Sequence, residues 1–129
     1  MENEGPSKGQ NRKILLGRAG EDYAAQLVAR SGLKIIERNY RCPRGEMDLI
    51  ALDKERTLVF VEVRTRSSGR AGWGEESVTA AKMKRMRLIA NYYLLDRGYR
   101  DWPPLRFDLV ALRWREQGEP ESRWLQAIF

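Results

Sequence analysis

The chain has 129 residues, with 24 Lys and Arg against 18 Asp and Glu, a formal charge of +6 at pH 7, one Cys and no His. That inventory rules out an internal disulfide, Ser-His-Asp and Cys-His catalysis, Cys-only zinc sites and nearly all His-bearing ones. Any chemistry must rest on carboxylates, Lys, Arg, Tyr, hydroxyls or an oxygen-ligated metal, for which Mg²⁺ or Mn²⁺ is suited. The positive excess favours polyanionic partners, chiefly nucleic acid. A lone thiol suits a reducing cytosol, the polar start lacks the apolar core of a signal peptide, and no apolar run approaches the ~18 residues of a membrane span. The expectation is one soluble, cytoplasmic domain with no membrane partner.

In chain order, residues 1–12 are charged, polar and Gly/Pro-containing and read as a flexible tail, leaving 13–129 as a single domain. From Lys13 to Arg30 apolar residues recur at helical spacing through Leu16, Tyr23, Leu27 and Val28, and Ser31-Gly32 supplies the stop. Gly20 falls inside that stripe, where a missing side chain lets another backbone approach closely. Leu33–Arg38 reads as a short strand, NYRCPRG as a loop, and Glu46–Leu52 as a second strand. Asp53–Thr57 is a turn, and Leu58–Arg66, LVFVEVRTR, is the strongest strand of the chain. After a Gly/Ser-rich loop carrying Trp73, the stripe Met83, Met86, Ile89, Ala90, Tyr93 and Leu94 predicts a helix over Val78–Arg97. Leu105–Arg113 and Ser122–Phe129 complete the pattern as strands. Helix, three strands, helix, two strands describes an α/β domain with a mixed sheet.

Asp48 and Glu62 stand on adjacent strands of the predicted hairpin, fourteen positions apart. A turn centred near Lys54–Glu55 makes them opposite or diagonal neighbours on one face. Carboxylates in apolar strands are costly to bury unpaired, so they either ligate a divalent cation or pair with Arg. Held there, Mg²⁺ would polarise a phosphodiester and acidify a bound water. Arg64, two residues past Glu62, lies on the same face about 6–7 Å along the strand, where it can steady phosphate charge. Taken by spacing alone, Glu62 and Arg64 read first as a solvated polar face of an edge strand.

GRAGEDYAAQLV, RNYRCPRGEMDLIA, LVFVEVRTR, RFDLVAL and the closing WLQAIF resemble the YraN-like family of uncharacterised bacterial proteins, over nearly the whole domain from Gly17. The resemblance implies an α/β, restriction-endonuclease-like three-layer domain of the PD-(D/E)xK type, its mixed central sheet flanked by helices, similar to archaeal Holliday-junction resolvases. By that resemblance Asp48 matches the first metal-binding acid, Glu62 the second, Arg64 the usual lysine, and Glu21 the helical acid of the resolvase group. Arg at position 64 departs from the pattern: a guanidinium stays protonated, binding phosphate well and serving poorly as a general base.

Lys82 falls in the apolar stripe of the second helix, one turn before Met86; pointing into the acidic hairpin, it would replace the missing lysine. The expected catalytic set is therefore Asp48, Glu62, Arg64 and Lys82, with Glu21, Asp48 and Glu62 holding Mg²⁺ or Mn²⁺. Glu46 shares a strand face with Asp48 and is a substitute ligand or a strand-entry charge. Arg41, Arg44, Arg66, Arg70, Lys84 and Arg85 suit a rim for a phosphate backbone, and each alone is an ordinary solvated residue. Tyr40 and Trp73 are candidates for base stacking or for packing under their loops. Asp108 is a structural partner for Arg106 or a loop amide, and Trp102, Trp114 and Trp124 are core or core-rim anchors. Three functions follow: a Mg²⁺-dependent endonuclease on branched or flapped DNA, a non-catalytic nucleic-acid-binding module, or a protein-interaction adaptor on the same fold. Resolvase-like cutting of a two-fold substrate would call for a homodimer.

Overall fold

The computed structural model describes residues 8–67 and 78–129, with side chains from Leu15 onward. Its elements are α1 (Lys8–Arg30), β1 (Lys34–Cys42), β2 (Gly45–Leu52), β3 (Leu58–Arg66), α2 (Ala80–Asp96), β4 (Leu105–Arg113) and β5 (Glu121–Leu125). The strands form one sheet in the order β1-β2-β3-β4-β5. Only β3 and β4 run parallel, because α2 carries the chain back between them; the other neighbours are antiparallel. The mixed α/β sheet expected from the sequence is present.

Period-two alternation of apolar residues gives the sheet two buried faces. Leu58, Phe60 and Phe107 pack with Met86, Ile89, Ala90, Tyr93 and Leu94 of α2. Val59, Val61, Val110 and Leu112 pack on the other face with Ala24, Ala25 and Val28 of α1. The result is three layers, helix–sheet–helix.

Gly20 sets how closely α1 lies on β3. A Cβ there would stand 2.2 Å from Thr65 Oγ1 and 3.3 Å from Thr65 Cβ, so no side chain fits without displacing Thr65. Gly32, at φ +103°, lets the chain leave α1, with Ser31 and Gly32 N–H groups bonded to Val28 and Ala29 carbonyls.

The β2–β3 turn is tied by Asp53, whose Oδ1 accepts the N–H groups of Glu55 at 2.9 Å and Thr57 at 2.8 Å. Asp108 is 0% exposed on β4. Its carboxylate accepts two bonds from Arg106, one from Trp124 Nε1 at 2.9 Å and one from the Ala127 N–H at 2.9 Å. Those bonds fold the last residues back, and Phe129 stacks on Phe107 with ring centroids 4.6 Å apart.

Several boundaries differ from the sequence reading. The helix starts at Lys8, inside the segment read as a tail. β1 runs on to Cys42, so much of NYRCPRG is strand, and Cys42 pairs with Gly45 across a two-residue turn. β5 ends at Leu125, where the hydrogen bonds of Asp108 take over. Trp102 is half exposed and anchors no core.

Candidate functional site

β2 and β3 pair regularly from Leu52↔Leu58 to Leu49↔Val61, which makes Asp48 and Glu62 the next partners in register. The ladder stops there. Asp48 turns its carboxylate toward β3, and its Oδ2 accepts the Val63 N–H at 2.7 Å. Met47 and Ile50 both pack on the α2 side while Leu49 packs on the α1 side, so β2 departs from simple alternation at this point. The departure aims Asp48 into the gap between the strands.

Burial pushes the Asp48 carboxyl from its usual 3.8 up to about 7; the Val63 N–H opposes the rise, and the charges of Glu21, Glu62 and Glu46 add to it. Glu21 is delivered by α1 one residue after Gly20, and its own carboxyl is pushed up by burial and then by Glu46. Asn39 lies on β1 at φ +55°, a backbone conformation that Asn tolerates better than most residues. With its amide turned to donate, Nδ2 reaches Glu21 Oε1 at 3.1 Å and Glu46 Oε2 at 3.2 Å. These three residues, with Arg18, Asp22, Arg38 and Arg41, line an open cleft of about 510 Å³. Asn39 was missed in the sequence because nothing local marks a positive φ inside a strand.

Glu62 lies on the α2 side of the sheet and is 7% exposed. Arg64 Nη2 contacts its Oε2 at 2.5 Å, and Arg85 Nη2 stands 4.0 Å from its Oε1. The α2 cation facing Glu62 is therefore Arg85, which the sequence places on the phosphate rim, and not Lys82. Lys82 precedes Arg85 by three residues on the same side of the helix. It is half-buried, and its N–H is capped by Thr79 Oγ1 at 3.2 Å. Among the described residues no three Asp, Glu, Cys or His side chains converge as a ready metal cage. Asp48 and Glu62 lie one step past the last β2–β3 pair, and the charge of Glu62 is felt at Asp48. Such a pair fits Mg²⁺ or Mn²⁺: both donors are hard oxygens, Asp48 sits in a surplus of negative charge, and Mg²⁺ commonly takes one or two carboxylates beside water and phosphate.

The parallel register matches Arg64 with Ala111 and Arg66 with Arg113, and β5 sets Arg123 against Ala111. Arg64, Arg66, Arg113 and Arg123 thus share the Glu62 face of the sheet across three strands. Arg113 and Arg123 were missed because their neighbours in space are distant in sequence. Of the other expected phosphate contacts, Arg44 and Lys84 are exposed, Arg41 pairs with Glu46 at 3.4 Å, and Arg70, like Trp73, lies outside the described residues. Tyr40 is buried, edge-on to Tyr93 with centroids 5.2 Å apart and its hydroxyl 3.3 Å from Asp96 Oδ2, so it packs and does not stack on bases. Among the described residues no helix is long and apolar enough to cross a membrane.

A family model described as "Uncharacterised protein family UPF0102" matches residues 20–112. A UPF0102 protein of Desulfitobacterium hafniense (strain Y51) is 51% identical over 115 residues, covering 88% of this chain and 94% of that protein. One from Moorella thermoacetica is 50% identical over 103 residues, covering 80% and 83%. Among solved structures, a repair endonuclease from Pyrococcus abyssi aligns at TM-score 0.37 and 19% identity, over 83% of this chain and 38% of that one. Pyrococcus furiosus SfsA in complex with Ca²⁺ aligns at TM-score 0.34 and 15% identity, over 86% and 62%.

Proposed function

We propose that this chain, which belongs to the uncharacterised protein family UPF0102, binds nucleic acid and cuts it as a metal-dependent endonuclease. The observation that carries the reading is the buried Asp48 carboxylate, bound to the Val63 N–H and within the field of Glu62 where the β2–β3 ladder ends, beside an arginine-lined sheet face. A composition without His leaves an oxygen-ligated metal as the natural source of hydrolytic power.

On this reading Asp48 and Glu62 would hold Mg²⁺ or Mn²⁺, with Glu21 the proposed third acid of the site. When bound, the cation would supply Lewis-acid polarisation of a phosphodiester. The chain's own groups do the rest. Arg64, Arg85 and the arginines of β4 and β5 seat the phosphates and offset their charge. In the metal-free protein burial holds the Asp48 carboxyl up to about 7, so taking up the cation would release its proton. Lys82, on the Arg85 side of α2, is the proposed stand-in for the motif lysine. Arg41, Arg44, Arg70 and Lys84 extend the rim, the partner is DNA, and a two-fold branched substrate would bring a homodimer.

A second reading, binding without cutting, is favoured by one observation: Glu62 is already neutralised by Arg64. The deciding experiment incubates branched, flapped and linear DNAs with Mg²⁺ or Mn²⁺, using wild type, Asp48→Ala and Glu62→Ala. Cleavage lost in both variants supports the endonuclease. Cleavage that survives both removes the site, and binding without any cut product selects the second reading.

A further inference from the structure

The Arg64–Glu62 contact sets two ligands in competition for one carboxylate. Glu62 is 7% exposed, and its two oxygens face guanidinium groups, Arg64 at 2.5 Å and Arg85 at 4.0 Å. A divalent cation would need those same lone pairs. A guanidinium does not lose its proton, so Arg64 can yield the carboxylate only by moving. It has room to do so, since a third of its side chain is exposed. Its present bonding is also incomplete, because Nε is buried without a hydrogen-bond partner. A phosphodiester offers two non-bridging oxygens at the spacing that suits the guanidinium fork.

We infer that Arg64 is an exchangeable counter-ion, drawn off Glu62 by a substrate phosphodiester so that the carboxylate is released to the divalent cation. The inference rests on the metal-dependent reading above and adds regulation to the same site. Charge is conserved at every stage: Glu62 is neutralised by Arg64 before the exchange and by the cation after it, while the phosphate takes over the guanidinium. Arg85, farther from Glu62 and exposed, follows the same phosphate. Nucleic acid and metal therefore bind with positive cooperativity, and by linkage each raises the other's affinity by the same factor. Without nucleic acid the site holds metal weakly, which keeps a cutting centre quiet until substrate is seated.

The test is Mn²⁺ titration followed by the spin-resonance signal of free Mn²⁺, for wild type, Arg64→Gln, Arg64→Lys and Glu62→Gln. Each is measured alone and with a DNA duplex shown by gel to be intact afterwards, the Mn²⁺ taken up by the duplex alone is subtracted, and circular dichroism verifies folding. DNA should tighten Mn²⁺ binding to wild type at least about fivefold. Arg64→Gln should bind Mn²⁺ at least about fivefold tighter than wild type without DNA and lose the coupling. Arg64→Lys, which keeps the charge but not the fork, should fall between the two, and Glu62→Gln should weaken binding throughout. Should Arg64→Gln fail to fold, wild type with and without DNA still decides. Equal Mn²⁺ affinity in both conditions, with Arg64→Lys no different, overturns the exchange while leaving the metal site standing. Absence of Mn²⁺ binding in every protein and condition overturns the metal reading and the exchange with it.

Discussion

The Asp48 carboxylate accepts the backbone N–H of Val63 at 2.7 Å, two residues beyond the Val61 that closes the β2–β3 ladder. A side chain thus takes the place of the next backbone rung, so the strands can separate without orphaning a buried donor. The separation brings an acid into the sheet's interior, where its charge is expensive. Stability has been traded for a charged group at this point, a common feature of functional sites.

Asp48 should make the metal-free protein less stable as pH rises. Its folded carboxyl is held up to about 7 against an ordinary 3.8, so between those values the folded state binds the extra proton. The penalty is absent below about pH 4, grows through the window and is complete above about 7, reaching roughly 2–4 kcal/mol. Asp48→Asn keeps an acceptor for Val63 and removes the charge. Chelator-treated Asp48→Asn should therefore be more stable than wild type at pH 8 in urea denaturation and equal to it at pH 4. A wild-type advantage at pH 8 would refute the account.

Gly20→Ala should destabilise the fold by about 1–3 kcal/mol, because the added Cβ meets Thr65 Oγ1 at 2.2 Å. Thr65→Ala removes the obstructing atoms. The double variant should then recover much of the loss, a non-additivity measurable in a double-mutant cycle.

Asp108→Ala should cost about 3–5 kcal/mol, since it strands the Arg106 guanidinium and frees Trp124 Nε1 and the Ala127 N–H. Thermal melts would measure the loss, and near-ultraviolet dichroism would report release of Trp124. Glu37→Ala breaks a partly exposed pair with Arg97 and should lower the melting temperature far less than Asp108→Ala does, the control for a surface contact.

If the arginine face seats phosphates, Arg113→Ala and Arg123→Ala should each weaken DNA binding and lower the slope of log K against log salt by about one. Arg30→Ala, at the far end of α1, should leave the slope unchanged. Equal slopes for all three variants would move the phosphate path off this sheet face.

Some of this was legible in the sequence because it depends on neighbours along the chain. The hairpin that carries Asp48 and Glu62 was legible, since a tight turn pairs residues symmetrically about its centre, and Leu52↔Leu58 centres it on Glu55. Helical spacing located the faces of α1 and α2, and the missing side chain at Gly20 foretold a close approach, though the Thr65 side chain and not a backbone makes it. Asp108 was read as a partner for Arg106, and its remaining bonds came from Trp124 and Ala127. Tyr40 as a base-stacking candidate was a boundary error: β1 runs four residues past Arg38 and buries its ring.

The sequence by itself determined the hairpin, its two acids and the absence of histidine chemistry, because local pairing and residue inventory need no knowledge of distant segments. Only the tertiary structure decided that Asp48 would leave the ladder for Val63. It also chose Arg85 to face Glu62, and β4 and β5 to extend the arginine face begun by Arg64. Those choices follow from which strands burial makes neighbours, and the β3–β4 pairing joins residues more than forty positions apart. Period-two alternation sets which side of a strand a residue occupies. The crossover through α2 sets whose company it keeps there.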